Sequence, residues 1–493
     1  MLMPARPRSA ITMRAASTIV ILASALRMAV RSAGAFMAPS ISRHAKQSSM
    51  RASAGLRLFS IGVADLSCKG IIGARVSHGR LPLIAFGMAH SGKNLLWSGV
   101  DGLSLYILIK VVVVSPIIAG MLFVISSFWN AAMDGIWGWT ISRSSMIRRM
   151  LPGVSAVAVI IACLSFALLP SLPTGAIWPA ATALIAFRTS FALLDVPHNA
   201  ATTPLAQVHG HLALSRWRAI LGAGMSVLIA VAASSTLLGT PQSAARAVII
   251  FPLLALSALI LLSPLPWLIQ ALAMDRPTPR SASAGPPAGM PSRALVTFCL
   301  IQMMGFAALA SIGKSVLHID IMPRWVLENA LLLLSLMRLA GTWLWSPVAT
   351  RFGSATALSI AYIFCAAAIL SLPIAIGWGP VWCAAILCVL GASFGGIALL
   401  AWSTFSELLS HSENGAASFS ASYGLFTAVS KIGLGFSALL TASWIDQYAQ
   451  GLAPSSLSLM TIMVAILCIL TALAAWDGWR QIFQVSNSRT PAV

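Results

Sequence analysis

The chain is poor in charge of either sign. Only 9% of its 493 residues are Asp, Glu, Lys or Arg, against about 25% in soluble globular domains. Acids are the scarcer kind, 11 against 31 Lys and Arg. With 58% hydrophobic residues and a mean hydropathy of +0.89, too little polar surface remains to cover a water-soluble particle, which excludes a soluble enzyme or binding domain. Cysteine is sparse as well, and Cys163, Cys299, Cys365, Cys383, Cys388 and Cys468 lie in apolar runs without CxxC or Cys/His spacing. That excludes a disulfide framework or zinc site and leaves small core residues. No Ser/His/Asp set, metal cluster or phosphate loop stands out, so neither an enzyme nor a resident cofactor is expected; His209 and His211 read as solvated loop residues.

The net charge of +20 suggests nucleic acid at first sight. Its distribution argues against that partner. Residues 1–80 hold twelve of the basic residues and one acid, Asp65, and the rest of the positive charge sits between apolar runs. This N-terminal extension contains Ser17–Leu26 (STIVILASAL), flanked by Arg14 and Arg27. Ten residues are too few for a core that needs about 20. The extension reads as a transit-type targeting segment or as sequence upstream of the true start, with Met50 one candidate.

From residue 81 the pattern becomes regular. Twelve apolar runs of spanning length follow, six in residues 81–274 and six in 294–480, ahead of a tail at 481–493. Runs this long, without period-two alternation, predict membrane helices and exclude a barrel. Between the halves, residues 275–293 (DRPTPRSASAGPPAGMPSR) carry five prolines and read as a linker. Six plus six helices about a central loop is the layout of major facilitator transporters. Alternate loops and the tail hold Arg143, Arg148, Arg149, Arg216, Arg218, Arg276, Arg280, Arg293, Arg351, Arg480 and Arg489, against Lys110, Arg246 and Arg324 on the other side. The bias places the linker and both termini in the cytoplasm.

Ionisable groups inside such runs are expensive and by default functional. Lys93 and Asp101 fall in the first run, Asp134 in the second, Arg188 and Asp195 in the fourth, Lys314 in the seventh, Glu328 and Arg338 in the eighth, and Lys431 in the eleventh. Arg188 and Asp195 share a helical face and suit a structural charge network, while Glu328 and Arg338 suit snorkelling at opposite ends of one helix. Asn130 and Asp134, spaced i, i+4, leave one face together; a carboxylate beside a carboxamide suits a proton or a small cation. Pro197 is expected to interrupt the fourth helix beside Asp195. Sixteen Trp stand against four Tyr, with Trp97, Trp129, Trp137, Trp139 and Trp402 near these polar groups, where an indole face suits the C–H face of a sugar; helix packing is the plainer alternative.

FGMAHSGKNLLW (86–97), SSFWNAAMDGIWGWTISR (126–143), DVPHNAATTPLAQ (195–207) with LSRWRAILGAG after it, and ASYGLFTAVSKIGLG (421–435) together resemble the glycoside–pentoside–hexuronide:cation symporters, the melibiose-carrier branch of the major facilitator superfamily. The resemblance implies that Asp195 binds sugar hydroxyls, that Asp134 belongs to the coupling-ion site, and that Arg218 and Lys431 face the solute. Asn94 stands where the family has a helix 1 acid, Asn130 replaces the first acid of the helix 2 pair, and Met133 and Ala192 replace oxygen-bearing side chains. Sodium would keep one carboxylate, so a proton is the favoured coupling ion. The expected site is Asp195, Arg218, Lys431, Asn94 and Trp129 for the solute and Asp134 with Asn130 for the ion, in a cavity lined by helices 1, 2, 4, 5, 8 and 11. The expected protein is an all-α, multi-pass secondary transporter of a sugar, glycoside or similar small polar solute. It is expected to be monomeric, in a plasma membrane, most simply a bacterial inner membrane. A lysolipid or other amphipathic-solute carrier of the same fold, or a non-transporting sensor, is the alternative.

Overall fold

The computed structural model describes residues 80–236, 243–274, 293–410, 419–449 and 453–487. The N-terminal targeting reading, the linker at 275–292 and the end of the tail lie outside them. Among the described residues the chain is helical and without β-strands. In chain order the first half comprises α1 (Arg80–Lys110), α2 (Pro116–Arg143), α3 (Ser145–Leu168), α4 (Ile177–Ala200, continued by the short helix Thr202–His209), α5 (His211–Thr236) and α6 (Ser243–Leu262, then Leu265–Met274). The second half comprises α7 (Arg293–Ser315), α8 (Arg324–Phe352), α9 (Ser354–Trp378), α10 (Pro380–Ser410), α11 (Phe419–Ala449) and α12 (Ala453–Asn487). The last helix thus runs beyond residue 480, into the expected tail.

Eleven of these segments are long and apolar enough to cross a membrane. The twelfth, α1, has 31 residues but is more polar because Lys93, Asn94, Ser98 and Asp101 face an internal cavity. The bundle is apolar outside as well as inside: Ile125, Leu164 and Ile249 are 62%, 57% and 64% exposed. Large exposed aliphatic surface of this kind belongs against lipid. Each half packs its own core. Leu96, Phe166, Phe187 and Phe251 belong to the first, and Phe298, Tyr362, Leu387 and Phe405 to the second.

Three local outcomes differ from expectation. Helix α4 does not break at Pro197 but continues to Ala200, because a proline costs one backbone donor and the adjoining turns retain theirs. The α4–α5 junction is a single residue, Gly210 at φ +86°, a left-handed conformation that glycine adopts freely. With no loop there, His211 is not simply solvated: its Nδ1 lies 2.6 Å from Ser406 Oγ on α10. Arg218, counted above as a loop charge, lies within α5 and is buried; the remaining charge bias keeps its sign.

The halves meet most closely along α2 and α11. A Cβ on Gly424 would stand 2.6 Å from the Asp134 carbonyl oxygen and 3.0 Å from Gly138 Cα. Backbone therefore touches backbone at the level of Asp134, the close approach that small residues allow between membrane helices. Gly424→Val is expected to destabilise the fold by about 1–3 kcal/mol through overpacking against main chain that has no free rotamer to yield, read as a lower detergent melting temperature. Gly377→Ala, where a Cβ meets nothing within 4 Å, serves as the control and should leave melting nearly unchanged.

Candidate functional site

Between the halves lies a cavity of about 360 Å³. Its walls come from α1, α4 and α5 on one side and α7, α8, α10 and α11 on the other. This corrects the expected wall, since α2 contributes no lining residue while α7 and α10 do. The reason is the α2–α11 contact, which keeps Asn130 and Asp134 fully buried in the seam behind the wall.

Two lysines organise the site. Lys431 of α11 directs its ammonium at Asp134 Oδ2 (2.5 Å), Asp195 Oδ2 (3.1 Å) and Asn130 Oδ1 (3.2 Å). An ammonium has three donors, and these three acceptors, all from the other half, use them. Lys93 of α1 reaches Asp195 Oδ1 and Asn199 Oδ1, each at 2.8 Å, and His198 Nδ1 at 3.2 Å. Asp195 also accepts from Asn199 Nδ2 at 2.8 Å, so it stands between two cations. The i, i+4 reading of Asn130 and Asp134 is met in geometry: both face the same amine. Of the oxygens that a small cation would draw on there, Asn130 Oδ1, Asp134 Oδ2 and Asp195 Oδ2 already accept from Lys431, while Asp134 Oδ1 has no hydrogen-bond partner among the described residues. Among the described residues no group of three or more His, Cys, Asp or Glu is placed to hold a metal ion.

The other expected residues divide. Asn94 lines the cavity and donates through Nδ2 to the His90 carbonyl at 2.7 Å. Arg218 also lines it, donating to Thr202 Oγ1 and to Asn199 Oδ1 (3.1 Å), with its guanidinium 4.0 Å from the Trp402 ring centre. Trp129 does not reach the site. It is 42% exposed and donates from Nε1 to Thr189 Oγ1 at 2.7 Å. One residue is about 100° of helical rotation, so a helix that aims Asn130 at α11 aims Trp129 away. Trp97 and Trp402 are the indoles that face the cavity.

A second charged cluster lies along α1. Lys314 Nζ is 3.0 Å from Asp101 Oδ1, a bridge between the halves 213 residues apart. Arg338 lines the cavity, whereas Glu328 pairs with Arg324 at 2.9 Å on the exposed start of α8; the two do not snorkel as a matched set. Arg188 forms no ion pair with Asp195. Its guanidinium lies 4.9 Å from both the Trp97 and Phe123 ring centres, and the two aromatic faces hold the cation instead. His90, His198 and Asn199 were missed as site residues. The signal was present in DVPHNA, where His198 and Asn199 follow Asp195 at i+3 and i+4 on one face.

The match to known proteins agrees with this architecture. Residues 85–480 fit the family model for MFS/sugar transport proteins, and the chain belongs to that family. No curated protein matches it. A bacterial homologue of the iron transporter ferroportin, in an outward-facing state, superposes with a TM-score of 0.56 at 10% identity, over 83% of this chain and 99% of that one. The E. coli fucose:proton symporter gives 0.52 at 12%, over 84% and 99%. A nucleoside transporter gives 0.52 at 14%, over 81% and 99%. Fold and family together define an all-α, multi-pass membrane protein of the major facilitator type, with twelve spanning helices in two six-helix halves, and a secondary transporter.

Removing one partner from a buried ion network strands the others. Lys431→Met is expected to cost about 3–5 kcal/mol of stability because Asp134 and Asp195 lose their shared cation. Adding Asp134→Asn to that variant should recover part of the loss, read from unfolding of the purified protein in detergent; no recovery would contradict the direct pairing.

Proposed function

We propose that the protein carries a sugar, glycoside or similar small polar solute across the membrane by alternating access, coupled to a proton, as a member of the glycoside–pentoside–hexuronide:cation symporter branch. The observation that carries this reading is Lys431, an amine of one half whose three acceptors all belong to the other, set at the edge of a cavity between them. Asp195, Asn94 and Arg218 supply hydroxyl-binding groups on one wall, with Trp97 and Trp402 offering ring faces. A carboxylate accepts from two neighbouring hydroxyls, and a guanidinium donates to their oxygens.

In this mechanism a proton arriving at Asp134 cancels the charge that Lys431 serves at 2.5 Å. Asp195 is then the one anion left to Lys431, beside Asn130 Oδ1, and a solute hydroxyl competes for that carboxylate. Proton and solute thus loosen the same bridge from opposite ends, which gives each a different affinity for the closed and open arrangements, as coupling requires. With Lys431 on one oxygen each of Asn130, Asp134 and Asp195, Asp134 Oδ1 is left as a lone buried acceptor, which suits a proton better than a sodium ion that needs several oxygens. The protein works as a monomer in a plasma membrane, most simply a bacterial inner membrane, with both termini and the segment between α6 and α7 in the cytoplasm. A second reading, an amphipathic-solute carrier of the same fold, draws on the apolar wall that Phe306, Leu309, Leu331 and Phe394 give the cavity.

The test is external pH in a weakly buffered, de-energised suspension of expressing cells, on addition of glycosides, pentosides and uronides in turn. One solute should alkalinise the medium, and Asp134→Asn and Asp195→Asn should each abolish the response. No response to any of them, with the protein confirmed in the membrane, overturns proton symport of that solute class and favours the amphipathic reading.

A further inference from the structure

The Asp101 end of the cavity is not used by the mechanism above. Asp101 follows Asn94 by seven residues on α1, about 10 Å along the helix. Lys314 from α7 pairs with it, and Arg338 from α8 lines the same space. Among the described residues Arg338 makes no hydrogen bond or ion pair. Behind the wall Arg188 is fully buried, and none of its three guanidinium nitrogens has a hydrogen-bond partner. Asp101 is within electrostatic reach of both arginines. One carboxylate therefore serves the two cavity-lining cations, Lys314 and Arg338, and shares Arg188 with Asp134.

At the other end the balance is closer. Asp134 and Asp195 pair with Lys93 and Lys431, and Arg218 donates to Asn199 and Thr202. Around Asp101, by contrast, Arg338 lines the cavity without a fixed partner, in a low-dielectric setting where an unanswered cation is costly. An arginine fork and an ammonium lining one cavity suit the oxygens of a carboxylate or phosphate, which they meet with charge-assisted hydrogen bonds. Arg188 is shielded from the cavity by the rings that hold it, so it contributes field rather than contact.

We propose that Lys314 and Arg338 form an oxyanion subsite, binding the carboxylate or phosphate of a solute whose hydroxylated part extends to Asn94, Asp195 and Arg218. The solute is then an acidic polyol with its charge toward Lys314 and Arg338 and its hydroxyls toward Asn94, Asp195 and Arg218. This rests on the transport of a hydroxylated solute proposed above and narrows it to the anionic members of that class.

The experiment is thermal stabilisation of the purified full-length protein in detergent, titrated with matched trios on glucose and galactose frames: the uncharged methyl glycoside, the uronate and the 6-phosphate. The uronate or the 6-phosphate should half-saturate at a concentration about ten-fold or more below that of the methyl glycoside, the worth of one charge-assisted bond. Whichever of the two does so identifies the source of the oxyanion. Arg338→Gln and Lys314→Gln should each bring the oxyanion down to the level of the uncharged ligand, and Arg338→Lys should keep part of the advantage. That conservative variant separates lost binding from lost folding. Methyl glycosides binding as well as both anions, or an advantage that survives Arg338→Gln, overturns the subsite and leaves sugar transport standing. No stabilisation by any of the six overturns the subsite and the hydroxylated-solute reading together.

Discussion

A single ammonium in a dry seam sets the terms for this molecule. Lys431 enters from α11 and is satisfied wholly by α2 and α4 of the opposite half. Breaking a buried pair by removing one partner typically costs about 3–5 kcal/mol, because the remaining charge stays buried. The halves therefore part at this level only if something else answers Lys431, Asp134 and Asp195. On the proposed mechanism that requirement turns a packing contact into a gate, in which a solute or proton that substitutes for one member of the network lowers the cost of separation.

The surrounding structure serves this one constraint. The glycine contact between Gly138 and Gly424 brings α2 and α11 close enough for Asp134 to reach the amine without entering the cavity. Lys93 holds the far oxygen of Asp195, so that carboxylate keeps a partner when Lys431 leaves. Trp97 is shared between Lys431 and Arg188, and Phe123 between Arg188 and Lys314. The two cation clusters are thus linked by aromatic faces as well as by helix α1. The Asp101–Lys314 pair repeats the logic of Lys431 with a lysine of the second half on a carboxylate of the first, and three of the five ion pairs among the described residues cross between halves.

Much of this was readable from residue pattern. Long apolar runs determine membrane helices because lipid offers the backbone no other partner, and the boundaries of the runs follow. Asn130 and Asp134 were paired by the helical repeat alone. What could not be read was direction across the bundle. Trp129 neighbours Asn130 in sequence yet points about 100° away from it, toward Thr189, and which of the two faces the site is set by the helix's neighbours and not by its own pattern. Arg218 resembled a loop charge because apolar runs do not show that an arginine just past a helix start is already buried. The α7 and α10 walls, the Lys314–Asp101 bridge and the isolation of Arg188 from Asp195 all depend on packing between residues far apart in the chain.

The most direct test of the central claim is the distance between spin labels at Ser145 on the first half and Arg351 on the second, exposed positions at the same end of the bundle. It would be measured by double electron–electron resonance in the otherwise native protein and in Asp134→Asn and Lys431→Met. If the Lys431 bridge governs how the halves separate, both substitutions shift the distance distribution away from that of the native protein without any solute present. Distributions identical to the native one in both variants would contradict the account, since the bridge would then be a packing detail with no hold on the motion of the halves.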